Sequence, residues 1–261
     1  MTVIEVRDRD VVGLRAGNPG PFTLSGTNSW IVGRHPAWLI DPGPSLGPHV
    51  RALSDELELR GGLGGIALTH DHLDHGEAAP AILRRFAGAP VAGGRGAVDV
   101  VLSDGAAFGP LEAIATPGHA QDHFAFLHDG IAFTGDAVLG EGSVFVAPDP
   151  GALADYLSGL RALRERKPEL ICPGHGPLVP DPDARIKQYL AHRADRERQL
   201  LDAIASGARS VDELLDAAWG DAPAELRMAA TVTLAAHLDK LADEHRLPAD
   251  VERPAGWPAH V

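Results

Sequence analysis

Cysteine is almost absent from this chain. One thiol, Cys172, in 261 residues excludes an intrachain disulfide and any cysteine-based zinc knuckle, and it fits a reducing compartment. Positive charge is in deficit. The 23 Lys and Arg face 36 Asp and Glu, a formal net charge of −13, so the chain as a whole repels nucleic acid and anionic membranes. Lysine contributes only Lys167, Lys187 and Lys240, an Arg bias that carries no functional weight. No apolar run approaches the ~20 residues that cross a bilayer. The first ten residues, Met-Thr-Val-Ile-Glu-Val-Arg-Asp-Arg-Asp, lack the apolar centre of a signal peptide. Internal repeats and low-complexity tracts are missing too. Gly93-Gly94-Arg95-Gly96 lacks the spacing of a dinucleotide fingerprint and reads as a turn. The expectation is a soluble, cytoplasmic protein with no membrane partner.

What is present is an ordinary globular composition, 44% hydrophobic and 23% charged, enough for a core of normal size. The anomaly is thirteen histidines. Up to about residue 180, short apolar runs alternate with Gly/Pro turns. Strands are expected at Ser29–Val32, Trp38–Ile40, Gly65–Leu68, Pro90–Ala92, Ala113–Ala115, Phe124–Leu127, Ile131–Phe133 and Leu170–Ile171, and helices over 48–59, 78–86 and 151–167. In the last of these, Leu153, Tyr156, Leu157, Leu160 and Leu163 form one buried face. Interleaved strands and helices imply stacked α/β layers. From residue 184 the strand signals stop. Helices are expected over 184–205, from the capping box Ser210-Val211-Asp212-Glu213 to Trp219, and over 224–245. These make a small helical domain with a terminal β-wing.

The chemistry is concentrated in Leu68-Thr69-His70-Asp71-His72-Leu73-Asp74-His75, on the loop at the carboxyl end of a strand, where α/β sites are built. His70 and His72, two apart in a non-helical turn, can converge on one ion, and Asp74 and His75 then face a second position. One loop cannot complete two coordination shells. Three later strand ends offer further ligands: Thr116-Pro117-Gly118-His119, Phe133-Thr134-Gly135-Asp136 and Cys172-Pro173-Gly174-His175-Gly176. Each has a glycine beside the candidate ligand, which permits close backbone approach. Imidazole and carboxylate without thiolate suit zinc first, then iron or manganese.

The set T-H-x-H-x-D-H, P-G-H, T-G-D and P-G-H-G, in this order, resembles the metallo-β-lactamase superfamily over about residues 20–180. Gly135-Asp136-Ala137-Val138-Leu139-Gly140-Glu141-Gly142-Ser143 and Tyr189–Glu197, with His192-Arg193 and Arg196-Glu197, are similar to motifs of its beta-lactamase-like protein 2 group. The trailing helices extend that similarity to nearly the whole chain. The resemblance implies an αβ/βα sandwich over residues 1–192 and a winged-helix-like domain over 193–261. It implies His70, His72 and His119 on a first zinc, Asp74, His75 and His175 on a second, and Asp136 bridging the two. Asp41, in Leu39-Ile40-Asp41-Pro42-Gly43, would hold the His loop from behind, and His123 would support the site or meet substrate. The chain departs from the pattern after His75. Gly76-Glu77-Ala78-Ala79 stands where many members carry a Gly-Gly pair, which alters that turn and leaves the ligands in place.

The implied activity is hydrolysis by a hydroxide shared between two Zn²⁺, with Asp74 orienting or deprotonating the water. The bond cleaved is an ester, thioester or related linkage of a small-molecule substrate. The same resemblance also allows a zinc-dependent endoribonuclease of single-stranded RNA, or a mononuclear-iron oxygenase. Lactam hydrolysis is not favoured, because class B lactamases place Cys or Ser variants in their second site. Only 39 positions separate Asp136 from His175, too few for the insertion with which RNA-processing relatives grip long RNA. Residues 196–261 hold seven basic against twelve acidic side chains, so the tail reads as a packing, capping or dimerisation element with no DNA partner. A homodimer is compatible with this. Trp30 and Phe22 are expected in the core, Cys172 as a small buried hydrophobe, and His35, His49, His128, His237, His245 and His260 as surface or capping residues.

Overall fold

The structure, a computed structural model, describes residues 2–6 and 9–254. Its layering follows from alternation within the strands. Trp30 and Val32 join one apolar cluster while Ile31, between them, joins another. Phe124-Ala125-Phe126 and Ile131-Ala132-Phe133 divide in the same way. Successive strand side chains point to opposite faces, so strands apolar at every position need cover on both sides.

That cover comes from two sheets packed together, with helices outside each. The first sheet orders β1 (Thr2–Val6), β2 (Val11–Arg15), β3 (Asn28–Val32), β4 (Ala37–Ile40), β5 (Leu63–Ala67), β6 (Val91–Gly93) and β7 (Val100–Val101) side by side. It is antiparallel as far as β4 and parallel beyond. The second runs through β8 (Ala107–Phe108), β9 (Leu111–Ala115), β10 (Phe124–His128), β11 (Ile131–Gly135) and β12 (Leu170–Pro173), with only β11 and β12 parallel. Trp30, Phe126, Phe133 and Cys172 fill the space between the sheets.

Helices α1 (Gly47–Leu59) and α3 (Ala79–Leu83) seal the outer face of the first sheet through Leu53, Leu57 and Ile82. The one-turn α2 (Leu73–Gly76) carries His75. Helices α4 (Ala152–Glu165) and α5 (Pro182–Ala205) seal the second sheet through Leu153, Tyr156, Leu160, Leu163, Ile186 and Tyr189. This is the α/β sandwich that the sequence implies. No helix of the described residues is long and apolar enough to cross a membrane.

The tail is helical as expected. Asp181 caps α5 by accepting from Ala184 N at 3.0 Å. The Ser210/Glu213 capping box opens α6 (Val211–Trp219). The helix expected over 224–245 divides into a 3₁₀ turn (Ala224–Leu226) and α7 (Arg227–Asp243). Leu200, Leu214, Leu234 and Leu238 form a separate apolar cluster there, while Ala236 of α7 joins the α4/α5 cluster. The expected boundary between residues 192 and 193 falls inside the continuous helix α5. Among the described residues no strand follows β12, so the expected wing is not found up to residue 254. Residues 255–261 lie outside the described chain.

Four strands were not expected: β1, β2, β7 and β8. The last two are two-residue edge pairings with no pattern to read. In β2 the signal is broken by Gly13, which pairs across the ladder with Trp30. The Trp30 ring occupies the space a side chain would take, and a Cβ at Gly13 would lie 2.5 Å from Trp30 Cζ3. Two histidines also differ from expectation. His49 is buried, with Nε2 3.0 Å from Ser29 Oγ. His237 is buried against Trp219, ring centroids 5.6 Å apart.

The Gly13–Trp30 contact is testable. Gly13→Ala forces the indole aside and is expected to lower unfolding free energy by about 1–3 kcal/mol, the usual range for overpacking. Urea denaturation measures it, and an unchanged midpoint would mean that the ring yields freely.

Candidate metal centre

Five strands of the sandwich end at one edge and deliver the candidate residues. Asp41 follows β4, the His70–His75 loop follows β5, His119 follows β9, Asp136 follows β11 and His175 follows β12. Asp41 organises the group from beneath. Its Oδ1 accepts from Thr69 N at 2.8 Å and its Oδ2 from Thr69 Oγ1 at 2.7 Å. The same Oδ2 lies 2.8 Å from His75 Nδ1. One buried carboxylate therefore fixes both ends of the His loop.

These bonds also settle the proton positions. Thr69 Oγ1 spends its hydrogen on Asp41, so it accepts from His70 Nδ1 at 3.0 Å, and His70 Nε2 presents a lone pair. His119 Nδ1 donates to the Phe145 carbonyl at 3.2 Å, which frees His119 Nε2 likewise. Both bare nitrogens face His72 Nδ1, at 2.8 and 3.2 Å. A single hydrogen on His72 cannot serve both, whereas a cation serves all three. Nitrogens held at 2.0–2.1 Å around a tetrahedral ion stand about 3.3 Å apart, close to the spacing seen.

A second cluster lies alongside. His75 Nε2 and His175 Nε2 are each near Asp74 Oδ2, at 3.5 and 3.3 Å, and near Asp136 Oδ1, again at 3.5 and 3.3 Å. His75 Nε2 and Asp136 Oδ1 are buried without any hydrogen-bond partner, as expected of atoms that point at an ion. The other oxygen of Asp136, Oδ2, stands 3.6 Å from His119 Nε2 of the first cluster. The carboxylate thus faces both. Room for this is made by Gly174, where a Cβ would lie 2.7 Å from Asp136 Oδ1 and 2.8 Å from His75 Cε1.

The electrostatics of the clusters are opposite. Burial, reinforced by neighbouring imidazoles, lowers His70 well below the usual range and His119 to about 4, so both are neutral. Burial also lowers His75 and His175, but Asp136 with Asp41 or Asp74 outweighs it and raises them to about 9 and about 10. Burial raises Asp74, yet His75 and His175 hold it at about 2. The second cluster demands positive charge, and protons satisfy that demand when no cation does.

His123 is brought to the site but faces away from any ligand position. Its Nε2 accepts from Asp136 N at 3.1 Å, so Nδ1 carries the proton and donates to Thr116 Oγ1 at 2.8 Å. Both ring nitrogens are thereby engaged in holding Asp136. Glu77, in the altered turn after His75, accepts from Ser45 N at 2.9 Å. Phe22 corrects the expectation of core packing. It is 52% exposed, with its ring edge on Phe145 at 6.3 Å, and Phe145 packs on His119 at 4.6 Å. Trp30 is core as expected, and its Nε1 also donates to Pro173 O at 3.2 Å. Asn28 was not anticipated. Its side chain donates to Pro173 O and Gly176 O, both at 3.0 Å, and clamps the His175 turn. No spacing announces such a bond across 145 residues. Thr69 stood inside the motif, and its hydroxyl was the available clue.

Relatives place the chain. Lactamase-like protein adaB of Aspergillus niger is 31% identical over 94% of this chain and 84% of its own length. The Beta-lactamase-like protein 2 homolog of Caenorhabditis elegans is 30% identical over 91% and 86%. The sequence profile of the Metallo-beta-lactamase superfamily matches residues 98–175. The chain belongs to the metallo-β-lactamase superfamily. An Atrochrysone carboxyl ACP thioesterase of Aspergillus fumigatus is 31% identical over 85% of this chain and 78% of that protein. Among solved structures, a metallo-beta-lactamase family protein from Thermus thermophilus superposes with TM-score 0.68 at 25% identity, covering 90% of this chain and 94% of its own. A Beta-lactamase domain protein from Burkholderia ambifaria, 21% identical, gives 0.77 over 94% and 90% and shares the fold.

The opposed electrostatics of this metallo-β-lactamase site predict two classes of cation uptake. Zinc entering between His75 and His175 must displace protons, because both are raised above neutrality. Its affinity is expected to fall steeply as pH drops from 8 to 6, by up to about 100-fold per unit for two protons released. Zinc at the neutral His70 and His119 should release none over that window. Calorimetric titration in buffers of different ionisation enthalpy counts the protons, and two pH-independent classes would contradict these proton positions.

Proposed function

We propose that this metallo-β-lactamase superfamily hydrolase binds two zinc ions and cleaves an ester or thioester of an apolar acyl substrate. The observation that carries the reading is Asp136, whose two oxygens face different ligand clusters at 3.3–3.6 Å. His70, His72 and His119 would hold one ion and Asp74, His75 and His175 the other, with Asp136 between them. Zinc in such a site supplies Lewis acidity and a water whose pKa falls towards ~7.

The chain's own residues do the rest. The neutral imidazoles of His70 and His119 offer lone pairs without a proton to lose. Asp41 and His123 keep the ligand rings and the Asp136 carboxylate from turning, which costs about 10–100-fold when such support is removed. Asp74 has 30% of its side chain exposed, against 10% for Asp136, so it is the carboxylate that would meet and orient an incoming water. Phe22 and Phe145 form an apolar wall beside His119 on which an acyl or aryl group can lie. The relative named as an acyl-carrier thioesterase supports the same substrate class.

The alternatives have less behind them. A mononuclear-iron oxygenase has no use for a second group of donors such as Asp74, His75 and His175. An endoribonuclease needs cations along its cleft, and Arg95, at the mouth near the His loop, faces Asp71 and Asp122 at 3.9 and 3.8 Å.

Asp136→Ala is expected to retain about one zinc where the parent retains two, and to lose at least about 10²–10³-fold in turnover, the scale of deleting a transition-state-stabilising group. Plasma emission on dialysed protein counts the metal. Two tightly held zincs in the variant would overturn the bridging role. A turnover screen across thioester, phosphodiester and lactam substrates should favour thioesters, and a preference for phosphodiesters would replace this reading.

A further inference from the structure

Between Asp136 and α4 the chain runs as an irregular strap, residues 137–147, without helix or strand. Its inner side bonds to two ligand turns. Gly140 N donates to His175 O at 3.0 Å, Phe145 O accepts from His119 Nδ1 at 3.2 Å, and Ala147 N donates to Gly118 O at 2.8 Å. Its outer side is gripped by helices. Tyr156 of α4 donates from its hydroxyl to Ala137 O at 2.8 Å. Tyr189 of α5 accepts from Leu139 N at 3.0 Å. Arg185 donates to the carbonyls of Leu139 and Gly142 at 3.1 and 2.9 Å. Thr233 of α7 accepts from Val146 N at 3.3 Å.

Arg193 sits at the centre of that grip. It is 2% exposed, donates from Nη2 to the Val144 carbonyl, and lies over the Tyr156 ring at 5.5 Å. No carboxylate pairs with it among the described residues. A buried guanidinium held only by a carbonyl and a ring is a costly way to pack a helix, where an apolar side chain of similar size would serve better. The carbonyl it holds lies one residue before the one that receives the His119 proton, and this gives Arg193 another role.

We infer that Arg193 is a positioning residue of the metal centre: through the Val144–Phe145 segment of the strap, the C-terminal helices set the tautomer and aim of His119. The inference rests on the metal reading above. With Phe145 O in place, Nδ1 keeps the proton and Nε2 points at the His70/His72 pair. When the strap slackens, that carbonyl withdraws, both tautomers become available, and Phe145 no longer packs on the ring. The motif Tyr189…His192-Arg193 thereby acquires a task that no ligand list contains.

The test uses the full-length chain loaded with Co²⁺, whose visible ligand-field bands report the donor set. Arg193→Gln is expected to weaken Co²⁺ binding by about 10–100-fold and to shift the bands, while Arg193→Lys restores part of both. Arg196→Gln lies three residues along α5, bonded to Ala218 O and Asp221, and should keep the parental bands and affinity. Parental behaviour in a folded Arg193→Gln overturns the inference. An equal change in Arg196→Gln also overturns it, since that marks general loosening of the helices. Where circular dichroism shows Arg193→Gln unfolded, Tyr189→Phe carries the same expectation at a few-fold amplitude, and a Tyr189→Phe indistinguishable from the parent is the overturning result. A parent chain without ligand-field bands defeats the metal reading itself, a failure distinct from bands that the strap variants leave untouched.

Discussion

Asp41, Asp74 and Asp136 are carboxylates brought together where water is scarce, and their mutual repulsion is the constraint to which the rest of the site answers. Buried negative charge must be met by positive charge or by hydrogen bonds. Asp41 is satisfied by Thr69 and His75. Asp136 is steadied by its own backbone bond to His123, and its Oδ1 has no partner. The imbalance that remains is localised between His75 and His175, and it explains why these two imidazoles titrate upward while His70 and His119, in the same pocket, titrate downward. The fold delivers two chemically different histidine groups from a single loop and its neighbours.

Much of this was legible beforehand because it is local. Strand ends followed by Pro-Gly-His or Thr-Gly-Asp advertise themselves, and the candidate ligands named from the sequence come together in three overlapping groups that could hold an ion. The capping box at Ser210 and the buried face of α4 are equally local and were found where expected. What escaped is non-local. Asn28 clamps a turn 145 residues away, and Gly13 yields its space to an indole on the next strand. Phe22 looks like core in any composition count, yet lies half exposed at the cleft.

The tail illustrates a different limit. Its acidic balance argues against a phosphate-binding surface, but charge counting is blind to contacts made with backbone carbonyls. Arg185 and Arg193 spend their donors on Leu139, Gly142 and Val144. A carbonyl has no sequence signature, so the helices could be placed in advance while the segment they hold could not. The same continuity blurs the domain boundary, since α5 serves the sandwich with Ile186 and Tyr189 and the helical cluster with Leu200 and Ile204.

Asp74 and His75 hang from the first sheet, Asp136 and His175 from the second. Any ion they share would therefore be a rivet through the open edge of the sandwich, joining points roughly 60 to 100 residues apart in the chain. A covalent cross-link closing a loop of that length restricts the unfolded chain by about 4–5 kcal/mol. A chain with one cysteine has no disulfide with which to do this. In such a molecule an ion held there would brace the architecture as well as serve the chemistry, and resistance to heat would then track its binding.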